Sequence, residues 1–151
     1  MTMTKTDVFI SYSHEDAKYL KQFARHLSTF KNKIDIWDDT RIKPGDIWRQ
    51  EIENALINSK VAVLLISADF FHSDFISKVE LPTLLQRAEE KGTHILSVII
   101  KPCLFDEYPE LNKFQAINRP DKTLLEMTEY EQEQVWIKTV KEIKTKVNLG
   151  V

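Results

Sequence analysis

The chain has 151 residues, which suits one domain of about 100–200 residues with its own hydrophobic core and no need of disulfide or metal staples. Its 21 basic and 23 acidic residues nearly cancel, so no global field draws nucleic acid or an anionic membrane, and function must come from a local site. The single cysteine, Cys103, excludes an internal disulfide and a multi-cysteine metal cluster, and fits a reducing, cytosolic setting.

Residues 1–6 lack the apolar run of a signal peptide, and no stretch approaches the ~18 apolar residues of a membrane span. Without repeats, low-complexity tracts or linkers, residues 1–151 are expected to form one domain with its core over about 6–147. The end at Asn148-Leu149-Gly150-Val151, straight after a predicted helix, would also suit an excised domain.

In chain order, Asp7-Val8-Phe9-Ile10-Ser11 is a short apolar run entering a polar cluster, and reads as a buried strand. Leu20, Phe23, Leu27 and Phe30 then form one stripe of an amphipathic helix that Ser13 or Asp16 would cap. Ile34-Asp35-Ile36-Trp37 predicts a second strand, followed by a charged loop with Pro44 and Gly45. Trp48, Ile52, Ala55 and Leu56 mark the next helix. Residues 60–67 are continuously aliphatic and β-branched, the pattern of a central strand covered on both faces. A polar loop leads to a helix carrying Val79, Leu84, Leu85 and Ala88, closed near Gly92. Residues 94–100 predict a fourth strand, ended by Lys101-Pro102. The stretch 103–121 reads as irregular, with a short edge strand near 114–117. A last helix over 129–146 turns Val135, Trp136, Thr139, Val140 and Ile143 inward.

Strands alternating with helices, and apolar runs within the strands, predict an α/β fold with helices on both faces of a parallel sheet. Five strands suggest the doubly wound, flavodoxin-like order 2-1-3-4-5. In such sheets ligands lie outside the carboxyl ends of the strands, where the strand order reverses. The loops after the first three strands, within 11–16, 38–46 and 67–80, share that rim and are dense in polar groups.

Several chemistries are excluded there. Only Gly45, Gly92 and Gly150 exist, so neither a dinucleotide G-x-G-x-x-G nor a P-loop can be written. His14, His26, His72 and His94 lack metal-ligand spacing and read as isolated surface or core histidines, while Cys103 reads as a small buried hydrophobe rather than a nucleophile. A phospho-receiver needs an aspartate at the end of its third strand; here that strand ends in Ile66-Ser67.

Glu80 is more informative. It precedes Leu81-Pro82, and a proline near a helix start makes the helix begin late or kink around Glu80. The carboxylate is then expected near the strand-end rim, flanked by Phe75, Ile76 and Val79. An ordinary helix-terminal glutamate favoured by the macrodipole is the competing reading, and periodicity alone favours it.

Four blocks change that balance. Asp7-Val-Phe-Ile-Ser-Tyr-Ser-His-Glu-Asp16 resembles the opening box of Toll/interleukin-1 receptor (TIR) domains. Trp37-Asp-Asp-Thr-Arg-Ile-Lys-Pro-Gly-Asp-Ile-Trp48 resembles the long loop after their second strand, with a helix following. Residues 61–67, then Ser73-Asp-Phe-Ile-Ser-Lys-Val-Glu-Leu81, resemble the third strand and the segment that carries the catalytic glutamate in bacterial, NAD-cleaving members. Residues 95–103 resemble a strand ending in Arg-Pro-Cys in those members. The blocks keep the family's order and cover nearly the whole chain.

The resemblance implies that Glu80 is the catalytic glutamate of an NAD⁺ glycohydrolase or cyclase. Phe75 and Trp48 become candidate walls for the substrate rings, and Ser13, His14, Asp38 and Lys43 candidate substrate contacts. Many enzymatic members place a tryptophan four residues before the glutamate; here that position is Ile76. NAD⁺ is implied as substrate, with neither a metal nor a separate cofactor. Implied partners are other TIR domains, in a homo-oligomer or filament, and a fused or recruited sensor module such as the one of TIR-STING proteins. No nucleic acid or membrane partner is expected. The implied setting is cytoplasmic antiviral defence or toxic effector signalling. The alternative is a non-catalytic adaptor acting only through TIR–TIR assembly.

Overall fold

The computed structural model describes residues 7–30, 34–41, 48–72 and 81–147. Its strands are β1 (Val8–Ser11), β2 (Ile36–Trp37), β3 (Val61–Ile66), β4 (His94–Ile99) and β5 (Gln115–Ala116), in the order β2-β1-β3-β4-β5. Every pairing is parallel, with Val8 beside both Ile36 and Val61, and Val61 beside His94. This is the order expected from the sequence.

The helices are α1 (Ala17–Leu27), α2 (Trp48–Ile57), α3 (Ala68–His72), α4 (Leu81–Glu90), α5 (Pro109–Asn112) and α6 (Glu129–Val147). All six residues of β3 are fully buried and alternate between two cores. Ala62, Leu64 and Ile66 face one core with Ile52 and Leu56 of α2, and Leu84, Leu85 and Ala88 of α4. Val61, Val63 and Leu65 face the other with Phe23 and Leu27 of α1, and Trp136, Val140 and Ile143 of α6. A continuous apolar run is what a strand sandwiched between two helix layers requires.

The expected stripe of α1 holds at Phe23 and Leu27, but Tyr19 takes the buried place expected of Leu20. Tyr19, Phe23 and Leu27 are buried, while Leu20 is half-buried. The tyrosine hydroxyl does not keep that ring at the surface, because its aromatic body gains more from burial than Leu20 would. Strand β2 is shorter than the expected 34–37: Ile34 is buried but unpaired, and pairing begins at Ile36. Strand β5 is two exposed residues flanked by buried Phe114 and Ile117. Asn118 extends its hold on β4, accepting from the Ile99 amide at 2.8 Å and donating to the Ile99 carbonyl at 3.0 Å. The side-chain amide thereby does the work of a peptide unit. Gly92, expected to close a helix, has φ of 100°, the left-handed region that glycine adopts without steric cost.

Helices α1 and α6 are joined through polar groups as well. Trp136 stacks on Phe23 at 5.0 Å between ring centres, and its Nε1 donates to Gln22 Oε1 at 3.0 Å. Gln22 in turn donates to Gln132, whose amide reaches the Leu124 carbonyl at 2.7 Å. His26 bonds Glu133 across the same interface, so it is paired rather than isolated. Removing a fully buried tryptophan loses both transfer energy and packing, and orphans Gln22. Trp136→Ala is expected to cost about 3–5 kcal/mol of folding stability, read from urea unfolding.

Thr128 and Glu131 start α6: the carboxylate accepts from the Thr128 amide at 3.0 Å and from Lys122 Nζ at 2.8 Å. Lys122 foremost, then Thr128, draws the Glu131 pKa down from 4.5 to about 2. A depressed folded pKa contributes stability that is present above the ordinary value and lost as pH falls toward the folded one. Glu131→Gln should flatten the pH dependence of the melting temperature between about 4.5 and about 2, modestly because the pair is exposed.

Candidate functional site

The strand order reverses between β1 and β3, so the chain leaves these neighbours toward opposite faces and opens a crevice at their carboxyl ends. The described groups there form an inner and an outer set.

The inner set is centred on Asp16, which has no solvent exposure. Its Oδ2 accepts from the Ser67 hydroxyl at 2.5 Å, and its Oδ1 lies 2.7 Å from Lys101 Nζ. Ser67, also fully buried, accepts from the Phe70 amide at 3.0 Å and so caps the first turn of α3. The hydrogen bond to Asp16 is the main cause that raises the Lys101 pKa. Asp16 was a candidate helix cap on sequence; its side chain makes no cap bond and turns inward to this cluster. Ser13 caps not α1 but the single 3-10 turn His14–Asp16 before it, accepting from the Glu15 amide at 3.2 Å while its own backbone carbonyl receives the Asp16 amide at 2.8 Å.

The outer set lies between the ends of β1 and β2. His14 Nε2 is 2.7 Å from Asp39 Oδ2, although the imidazole itself is largely exposed. The histidine is therefore paired, against the sequence expectation of an isolated one. Tyr12 packs at a tilt on His14, 5.5 Å between ring centres. Burial first, then the carboxylates of Asp39 and Asp38, push the Tyr12 hydroxyl to a pKa of about 12. Asp38 turns back on its own loop, accepting from the Thr40 amide at 2.9 Å. Beneath them Trp37 stacks on Phe9, 5.1 Å between ring centres and nearly parallel. That stack and Ile52 leave a cavity of only about 20 Å³, room for one water and not for a ring.

A roomier cleft of about 280 Å³ opens past the ends of β3 and β4, lined by Ala68, Phe71, His72, Cys103, Leu104 and Tyr108. Phe71 and Tyr108 lie face to face, 4.0 Å apart and 4° from parallel. Burial raises the Cys103 thiol pKa, which removes thiolate character and suits the reading of Cys103 as a packing residue.

Of the residues named from sequence, Ser13, His14 and Asp38 fall on this rim. Trp48 opens α2, with its side chain outside the described residues; Lys43, Phe75 and Glu80 also lie outside them. Sequence reasoning missed Asp16, Ser67 and Lys101 as one cluster, and Phe71 with Tyr108. The available signal was an acid, a hydroxyl and a cation at the ends of three different strands, which only the strand order makes neighbours. Among the described residues no helix is long and apolar enough to cross a membrane, and no group of three His, Cys, Asp or Glu side chains converges as a metal site.

Comparison with known proteins agrees with the geometry. The chain superposes on the TIR domain of the Toll-related receptor TRR-2 from Hydra magnipapillata with a TM-score of 0.63. That match covers 93% of this chain and 99% of that one at 19% identity, a likeness of fold alone. Relatives named for an activity include the 2′ cyclic ADP-D-ribose synthase AbTIR of Acinetobacter baumannii, 31% identical over 78% of this chain and 44% of that protein. They also include the NAD(+) hydrolase TcpA of a Theionarchaea archaeon, 32% identical over 61% of this chain and 28% of that protein. The chain thus spans less than half the length of either. The family model for the TIR domain matches residues 8–135, from β1 into α6, and the chain belongs to the TIR domain family.

Proposed function

We propose that the chain cleaves the bond between nicotinamide and ribose in NAD⁺, with Glu80 as the catalytic carboxylate. The observation that carries this reading is the family membership together with relatives named for NAD⁺ hydrolysis and for synthesis of a cyclic ADP-ribose. The site residues named from the sequence add to it: Ser13, His14 and Asp38 are rim groups, and Glu80 follows in the chain from the rim helix α3.

The chemistry suits one carboxylate. Nicotinamide leaves a pyridinium as a neutral base, so its departure needs no general acid, unlike the sugar leaving groups for which glycosidases use two carboxyls. The remaining task is to hold the ribose and offset the positive charge that develops at C1′, which one fixed anion does. Glu80 takes that role, accepting hydrogen bonds from the ribose hydroxyls. Phe75 and Trp48 would flank the rings, and Ser13, His14, Asp38 and Lys43 would contact the rest of the substrate. Water, or a hydroxyl of the substrate itself, captures C1′ and gives ADP-ribose or a cyclic form. NAD⁺ is the substrate, so no resident cofactor is required.

We further propose that activity depends on self-association with other TIR domains, and that a fused or recruited sensor triggers it in antiviral defence. A free thiol as the sole cysteine fits a cytoplasmic reaction. Ile76, at the position where many enzymatic members carry tryptophan, favours the second reading, a non-catalytic adaptor.

Glu80→Gln should retain the melting temperature and abolish NAD⁺ consumption; turnover by a well-folded variant would defeat the assignment of Glu80. The charged stretch 38–46 follows β2 in the chain, long loops after strands commonly carry function, and a head-to-tail contact through it would grow open-ended. Specific activity should therefore rise steeply with protein concentration, and Pro44→Asp or Gly45→Arg should remove that rise without unfolding the monomer. The measurement is NAD⁺ consumed per mole across a wide concentration series with light scattering alongside; a flat profile from a strict monomer rules out the assembly requirement.

A further inference from the structure

The inner cluster of Asp16, Ser67 and Lys101 has no part in the chemistry assigned above. It is nevertheless a costly arrangement. Withdrawing a carboxylate wholly from water carries a penalty of several kcal/mol, and an apolar substitute of similar volume commonly serves stability as well or better. What the cluster provides instead is a geometric tie between three strand-end loops.

Asp16 ends the loop after β1, Ser67 follows β3, and Lys101 follows β4. The two oxygens of one carboxylate bind the other two groups, at 2.5 Å and 2.7 Å. On one side the tie reaches His14 through the single turn His14–Asp16. On the other it reaches α3 through the bond from Ser67 to the Phe70 amide. Helix α3 carries Phe71 of the 280 Å³ cleft, ends at His72, and is followed by residues 73–80. Lys101 keeps a second, looser contact with Asp69 on that helix at 3.9 Å. The crevice between β1 and β3 thus has both lips fastened to one buried anion.

We propose that Asp16, Ser67 and Lys101 are positioning residues for NAD⁺ cleavage, holding the loop after β1 and the start of α3 in one relation across the crevice. The proposal rests on the NAD⁺-cleaving reading of the rim. A site held loosely by even an ångström loses much of its rate while substrate binding elsewhere persists, so the signature is a loss in kcat rather than in KM.

Removing Lys101 alone would strand a buried charge, so the test uses Asp16→Asn combined with Lys101→Met, which keeps side-chain size and leaves no unpaired ion. Ser67→Ala, which keeps the ion pair and cuts the tie to α3, is measured beside it, with Lys101→Arg as the conservative variant. Expected for the double variant and for Ser67→Ala are a melting temperature within a few degrees of the native chain and faster hydrogen exchange at the Phe70 amide. Expected also are a kcat at least about tenfold lower and a KM within about threefold. Lys101→Arg should keep most of the native kcat. A double variant with native kcat overturns the proposal, as does a loss of activity matched by a collapse in melting temperature. A native chain that consumes no NAD⁺ at any concentration defeats the NAD⁺-cleaving reading itself and this proposal with it. An active native chain with an equally active double variant removes only the positioning role.

Discussion

Strand β3 is the constraint on which the rest of the structure depends. Six consecutive aliphatic residues without exposure cannot sit at an edge or on a one-sided sheet, so helices must cover both faces. Covering both faces with right-handed crossovers forces the chain to wind one way from β1 to β2 and the other way from β3 onward. The reversal leaves a crevice at the carboxyl ends of β1 and β3, where the described polar groups Asp16 and Ser67 meet. The candidate site follows from how the apolar core is closed.

A parallel sheet solves one problem and poses another at that crevice. Its strand ends deliver unpaired backbone groups and short polar loops into a place half shielded from water. The chain meets part of this demand with short-range devices, such as the Ser13 cap and the turn of Asp38 onto the Thr40 amide. The remainder is met by side chains from distant positions. Asp16, Ser67 and Lys101 are far apart in sequence, yet each stands just beyond a strand of the same sheet. Electrostatics is therefore layered: a buried, compensated ion pair beneath, and an exposed pair of His14 with Asp39 above.

The chain belongs to the TIR domain family, and its likeness to the receptor TIR domain from Hydra is one of fold. Fold does not decide function; groups at the rim do. The family model ends at 135, but Trp136, Val140 and Ile143 beyond it complete one core, so the second half of α6 is structurally part of the same body.

The sequence by itself determined the five strands, their order and the four longer helices, because hydrophobic period is a local property; the short helices α3 and α5 fall where it read loop. The apolar run of 60–67, the α6 stripe of Trp136, Val140 and Ile143, and the glycine at 92 each reported their own environment. It also named Ser13, His14 and Asp38 as rim residues, since loop position follows from strand position. The tertiary structure alone decided which polar groups pair. Asp16 looked like a helix cap because a short acid before a helix usually is one; it stands at the N-cap of α1 but its carboxylate turns inward, and Ser13 caps only the 3-10 turn before it. His14 and His26 looked isolated because Asp39 and Glu133 lie on other elements. Tyr19 is buried deeper than Leu20 because of what faces α1 there. Hydrophobic pattern is written along the chain, whereas a hydrogen bond or an ion pair needs two partners, and their meeting is settled only when the sheet has closed.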